Sequence, residues 1–357
     1  MLLQHMQFQA LSIENLLRLG RATLSGLSGG DLQREVEGTL ASRKRTQNPG
    51  TFQSKRRRFQ HWSPFLGAST ASIEASGREV LPLPCLSLGW HEGELFAVRF
   101  SSNCKIVCWK RGDPPTCVRR VAGEGATVAG INDLGTCHDL SISPSGEIFV
   151  MDGENQRLVR FQSGSGHLVV DNVDDAWDLC HSPNGVLYVV SQDGRTVQKL
   201  VGSALETVIA SESLHADKQF EAKRVFVTKE EVIYLLDVLN ETHRVLSINP
   251  AESLEPVVAG QIPTDGPSSL MDLFVTDGGT IYVADLYQRK VLAFHPGSGT
   301  CTKVLQCPDG LHPLAVLVQD SSLYVSMVEE TSWHEDPNDP KVGSVYEYVL
   351  PPELQLE

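Results

Sequence analysis

Three aspartates and one arginine stand at the same point ahead of similar apolar runs: Asp139 in "DLSIS", Asp178 in "DLCHS", Arg224 in "RVFVT" and Asp272 in "DLFVT". Just before them come His138, Trp177, Lys223 and Met271, and Pro313 with His312 holds the matching place further on. Carboxylates and histidines gathered in space are ligands for Ca²⁺ or Zn²⁺. His138, Asp139, Asp178 and Asp272 are therefore the candidate metal ligands, and with Trp177, Lys223, Arg224 and His312 they make eight candidates for binding at the mouth of a channel. The chemistry would be that of a bound divalent cation. Two observations oppose it. Arg224 and Lys223 put positive charge at the same level, and no nearby pair has the spacing of a known metal motif. The alternative is that these groups satisfy one another, with no cofactor.

Other catalytic signals are absent. The chain has no G-x-S-x-G elbow, no H-E-x-x-H, no P-loop and no dinucleotide fingerprint. Its eight cysteines form no C-x-x-C pair, so they read as small buried hydrophobes of a reducing compartment. The first residues, "MLLQHMQFQAL", are interrupted by glutamine and histidine and make a poor signal peptide, and no apolar run could span a bilayer. An intracellular protein, in nucleus or cytoplasm and without a membrane contact, is the expectation.

The elements that must position these residues recur. The runs "LSISPSGEIFVMD", "LCHSPNGVLYVVS", "VFVTKEEVIYLLD", "LFVTDGGTIYVAD" and "AVLVQDSSLYVSM" share a strand, a polar turn and a second strand. Their second strands begin at Ile148, Leu187, Ile233, Ile281 and Leu323, 39 to 48 residues apart, and "HEGELFAVRF" from His91 is a degenerate copy. Third and fourth strands follow in most units, as in "KVLAF" and "EPVVAG". Four short strands per repeat predict a propeller blade, and six repeats predict a six-bladed, all-β propeller. The sixth repeat lacks an outer strand before Pro351, so residues 62–76 are expected to supply it from the other end.

The segment "PSGEIFVMDGENQRLVRF" is similar to the NHL repeat, through Asp152, Asn155 and Arg157, and Asp237, Asn240, His243, Arg244, Asp285 and Lys290 continue the pattern. The resemblance implies a propeller used for protein or RNA binding. The family's zinc modules for ubiquitin transfer are missing. Physically, the aspartate ends one strand and the arginine starts the next, so the pair is expected to close the hairpin.

Charge divides the chain. Residues 1–77 carry a net +5 and residues 78–357 a net −19. An acidic propeller repels phosphate, which disfavours RNA. Residues 1–42 carry two short helical patterns; residues 43–61 form a basic linker, and the propeller is expected over 62–350 with a tail to 357. Within the linker, Arg43, Lys44, Arg45 and Lys55, Arg56, Arg57, Arg58 have the layout of a bipartite nuclear import signal, or of a solvated arm that touches nucleic acid. The sequence thus favours a non-enzymatic protein-interaction platform, with a metal-dependent enzyme and an RNA-binding propeller as alternatives.

Overall fold

The computed structural model describes Ile73 and residues 77–99, 105–123, 134–162, 165–173, 176–239, 243–262, 269–294, 301–330 and 342–354. They form six four-stranded antiparallel sheets, the blades of a propeller. After β1 (Arg78–Leu81), the first blade is β2 (Cys85–His91), β3 (Glu94–Arg99), β4 (Lys105–Lys110) and β5 (Val118–Gly123). The second is β6 (Cys137–Ile142), β7 (Ile148–Asp152), β8 (Arg157–Gln162) and β9 (Ser165–Val170). The third is β10 (Ala176–His181), β11 (Leu187–Ser191), β12 (Thr196–Val201) and β13 (Ala204–Ala210). The fourth is β14 (Ala222–Val227), β15 (Ile233–Asp237), β16 (Arg244–Asn249) and β17 (Ser253–Gln261). The fifth is β18 (Leu270–Val275), β19 (Ile281–Asp285), β20 (Lys290–Phe294) and β21 (Cys301–Gln306). The sixth is β22 (Leu311–Gln319), β23 (Ser322–Glu329) and β24 (Gly343–Val349), completed by β1 on its outer side.

Closure comes from the N-terminal side, as expected, but from a later segment. Arg78 faces Glu347 across the β1–β24 ladder, Arg78 also donates to the Glu347 carboxylate at 2.6 Å, and Val80 and Leu81 are fully buried. Of residues 62–76 only Ile73 is described, and it donates its N–H to the Val304 carbonyl in the fifth blade (2.7 Å), not to the sixth.

Second strands are largely buried because both faces meet a neighbouring blade, and β7 and β19 are buried along their whole length. Such strands read as continuous apolar runs rather than alternating ones. The blades pack through shared apolar clusters, as where Phe96 and Ile106 of the first meet Leu140 and Val150 of the second. Turns between first and second strands need a left-handed residue, supplied by Gly146, Gly185 and Gly279 at φ between 80° and 85°. The fourth blade places Glu231 there instead (φ 59°), and Tyr188 and Asn184 of the third blade hold its carboxylate at 2.6 and 2.8 Å.

The hairpin pairs form as the sequence predicts. Arg157 donates to Asp152 at 2.9 Å and Arg244 to Asp237 at 2.6 Å, both carboxylates being fully buried. Asn155 and the Gly135 N–H also donate to Asp152. Cys85, Cys108, Cys180 and Cys307 are buried thiols and Cys117 an exposed one. Cys137 departs from the expectation: it is disulfide-bonded, to a side chain outside those described.

Candidate functional site: the channel ring

Every inner strand carries a β-bulge near its start: between Cys85 and Ser87, Cys137 and Leu140, Ala176 and Asp178, Ala222 and Arg224, Leu270 and Asp272, and Pro313 and Ala315. An extra residue re-aims the next side chain. Counting from the bulges, the equivalent positions are Ser87, Asp139, Asp178, Arg224, Asp272 and Ala315, one per blade. Ser87, Asp139, Asp178 and Asp272 line a central cavity of about 230 Å³ to which all six inner strands contribute.

The aspartates reach sideways, each to the next blade. Asp139 accepts the Leu179 N–H (2.7 Å), Asp178 the Val225 N–H (2.6 Å) and Asp272 the Val316 N–H (2.7 Å). Ser87 repeats the step more loosely, with its hydroxyl 3.4 Å from the Leu140 N–H. The fourth blade has a cation instead, and Arg224 Nε lies 3.6 Å from carboxylate oxygens of both Asp178 and Asp272. Asp272 also accepts the Leu273 N–H of its own strand (2.8 Å).

Burial, then the Asp139 charge, raises Asp178 well above the ordinary carboxylate range, against the pull of Arg224 and the Val225 amide. Burial likewise pushes Asp272 up to about 7, opposed first by Arg224. Arg224 is buried, which disfavours its charge, yet the carboxylates of Asp178, Asp272 and Asp139 together hold its pKa above the usual value. Arg224, 3.6 Å from both Asp178 and Asp272, places a guanidinium among the carboxylates and weakens the ring's attraction for another cation.

The remaining candidates separate from the ring. His138 is buried beside Asp139, and burial lowers it to about 4, so it is neutral at physiological pH. Half-buried Lys223 is lowered by burial first and by Arg224 second, and its carbonyl accepts the Arg224 Nη1–H (3.2 Å). His312 instead turns to the Leu286 carbonyl (2.9 Å) and the Glu330 carboxylate (3.9 Å). Trp177 lies in β10 between Ala176 and Asp178, and its side chain is outside those described. The import-signal candidates, Arg43 to Arg45 and Lys55 to Arg58, are also outside the described residues, as are the two helical patterns. Among the described residues no group of three or more His, Cys, Asp or Glu is arranged to hold a metal ion.

Sequence reading passes over Ser87 and Ala315, because neither type draws attention and the first repeat is degenerate. It also passes over the second tier of the channel. There the His181 N–H donates to the Ser141 hydroxyl (2.8 Å), and Phe226 and Phe274 pack edge to face with centroids 5.0 Å apart.

No protein-family model matches the chain, and no curated protein matches its sequence. Solved structures do share the fold. A Bacteroides thetaiotaomicron protein of unknown function aligns with a TM-score of 0.54 at 8% identity, over 78% of this chain and 73% of that one. An auxiliary nutrient binding protein from the same organism gives 0.51 at 11%, over 74% and 69%. Virginiamycin B lyase from Staphylococcus aureus gives 0.50 at 12%, over 78% and 89%. At these identities the likeness extends to the six-bladed propeller and no further.

Proposed function

We propose that this chain is a protein-interaction platform built on an NHL-like propeller, in which the charged ring of the channel joins blades and performs no catalysis. The observation that carries this reading is the use to which the ring is put. Each aspartate already serves a backbone N–H of the adjacent blade, and two of them share Arg224. The amides and the guanidinium held this way compete with a metal for the same carboxylates. The Asp152–Arg157 and Asp237–Arg244 hairpins support the NHL likeness, since they use its aspartate and arginine for closure. The basic arm, read as an import signal, fits a platform delivered to the nucleus, where a reporter fused to residues 40–60 would accumulate.

Isothermal titration with Ca²⁺ and Zn²⁺ tests the central part. The wild type is expected to show no stoichiometric heat with either ion. Saturable binding that His138→Ala or Asp139→Asn abolishes would replace the platform by the metal-dependent hydrolase or lyase.

A further inference from the structure

The outer strands, where the blades meet solvent, are not alike. β17 is nine residues long, and among the described residues no other outer strand exceeds seven. On it Leu254, Val257 and Val258 are 46%, 62% and 49% exposed, and among the described residues no other strand carries three large apolar side chains so open to water. Among the described residues β17 is the last strand of its sheet and pairs with β16 alone. Its outward N–H and C=O groups form a template for another strand.

Proteins commonly blunt such an edge with lysine. β17 has none, and no Lys or Arg occurs anywhere from Val245 to Ile262. Its charges are the exposed carboxylates of Glu252, just before it, and Glu255. Pro256 removes one N–H donor but is itself buried. Register shifts on either side of Val257 and Val258 limit the regular template to a short stretch.

We propose that the outer edge of β17 docks a short extended segment of a partner protein that is both apolar and basic. The segment adds as a fifth strand to the fourth blade, main chain to main chain, with an apolar face against Val257, whose neighbour Val258 points to the opposite face, and Lys or Arg against Glu252 and Glu255. A second copy of this chain is the poorer occupant, because self-pairing brings the same glutamates together. The net −19 of residues 78–357 also draws a basic partner at long range. This assignment rests on the platform reading and names the partner's chemistry.

The test uses the full chain and a fluorescein-labelled peptide, Lys-Val-Thr-Val-Lys-Val-Thr-Val-Lys, with a Glu-for-Lys peptide as control, followed by anisotropy. The wild type is expected to bind the lysine peptide at least about tenfold more tightly than the glutamate peptide, as charge complementarity at an interface requires. Val257→Lys should weaken binding, and Glu252→Lys with Glu255→Lys should reverse the preference. All three positions are exposed, so unchanged melting temperatures confirm that the variants fold. Absence of saturable binding, equal affinity for both peptides, or binding undiminished by Val257→Lys would overturn the assignment. So would a sedimenting dimer that Val257→Lys dissolves, which would give the edge to a second copy. None of these outcomes bears on the metal titration, so the docking edge and the platform reading fail separately.

Discussion

Asp272 stands between a cation and two amides, and its titration should be visible in the stability of the whole protein. Its folded pKa is raised from 3.8 to about 7, with burial the largest cause. The folded state therefore binds a proton more tightly than the unfolded chain. Its contribution is fully present below about pH 4 and is lost as pH rises through about 7. A shift of this size is worth on the order of a few kcal/mol. Urea unfolding at pH 5 and pH 8 should show a wild type that weakens with rising pH and an Asp272→Asn variant with a clearly flatter dependence. Equal slopes would mean that the carboxyl is solvated. The equivalence of Asp139, Asp178, Arg224 and Asp272 was legible because each precedes a recurring apolar run. Their use was not: a carboxylate that accepts an amide from the next blade pairs residues some 40 positions apart, as Asp139 does with Leu179. Cys137 was misread for a similar reason, since neither its spacing nor its neighbours mark a disulfide.

The hairpin is the unit at which sequence and structure agree most closely. Second strands begin at Ile148, Leu187, Ile233 and Ile281, where the repeat places them, and at Ser322, one residue earlier than expected. The strong signal is the turn between strands, whose Gly or Asp has a steric cause. Gly194 shows the same logic between blades: at φ 70° a side chain there would meet the Ala222 carbonyl oxygen of the fourth blade. Arg157→Ala should cost about 3 kcal/mol, the range for breaking a buried pair by removing one member. Chemical denaturation measures it, and a loss under about 1 kcal/mol, the worth of an ordinary surface pair, would mean that Asp152 is satisfied by Asn155 and Gly135 alone. The outer strands were the least legible elements. They are half exposed and short, so their apolar pattern is weak, and β1 lay beyond the stretch that the sequence offered.

Closure sets the behaviour of the whole ring. A chain beginning at Pro82 lacks β1 and leaves the β24 edge open, along with the apolar surface that Val80 and Leu81 cover. It should melt lower and aggregate more readily than a chain beginning at Ser69, and indistinguishable melts would contradict closure by β1. The last seam, between sixth and first blades, has Ala315 at the ring position and so no latch of the usual kind. Arg111 compensates from the first blade, donating to Asp320 (2.6 Å) and Ser322 (3.2 Å) of the sixth. The ring as a whole is thus held by charge at its centre and by hairpin turns at its rim. That account is tested most directly by the thermal melt of Arg224→Ala with EDTA and with millimolar CaCl₂. A structural ring predicts a large drop in melting temperature, about 3–5 kcal/mol in stability, identical in both buffers. A variant that keeps the wild-type melting temperature, or recovers it with calcium, would contradict it and make the carboxylates a cation site.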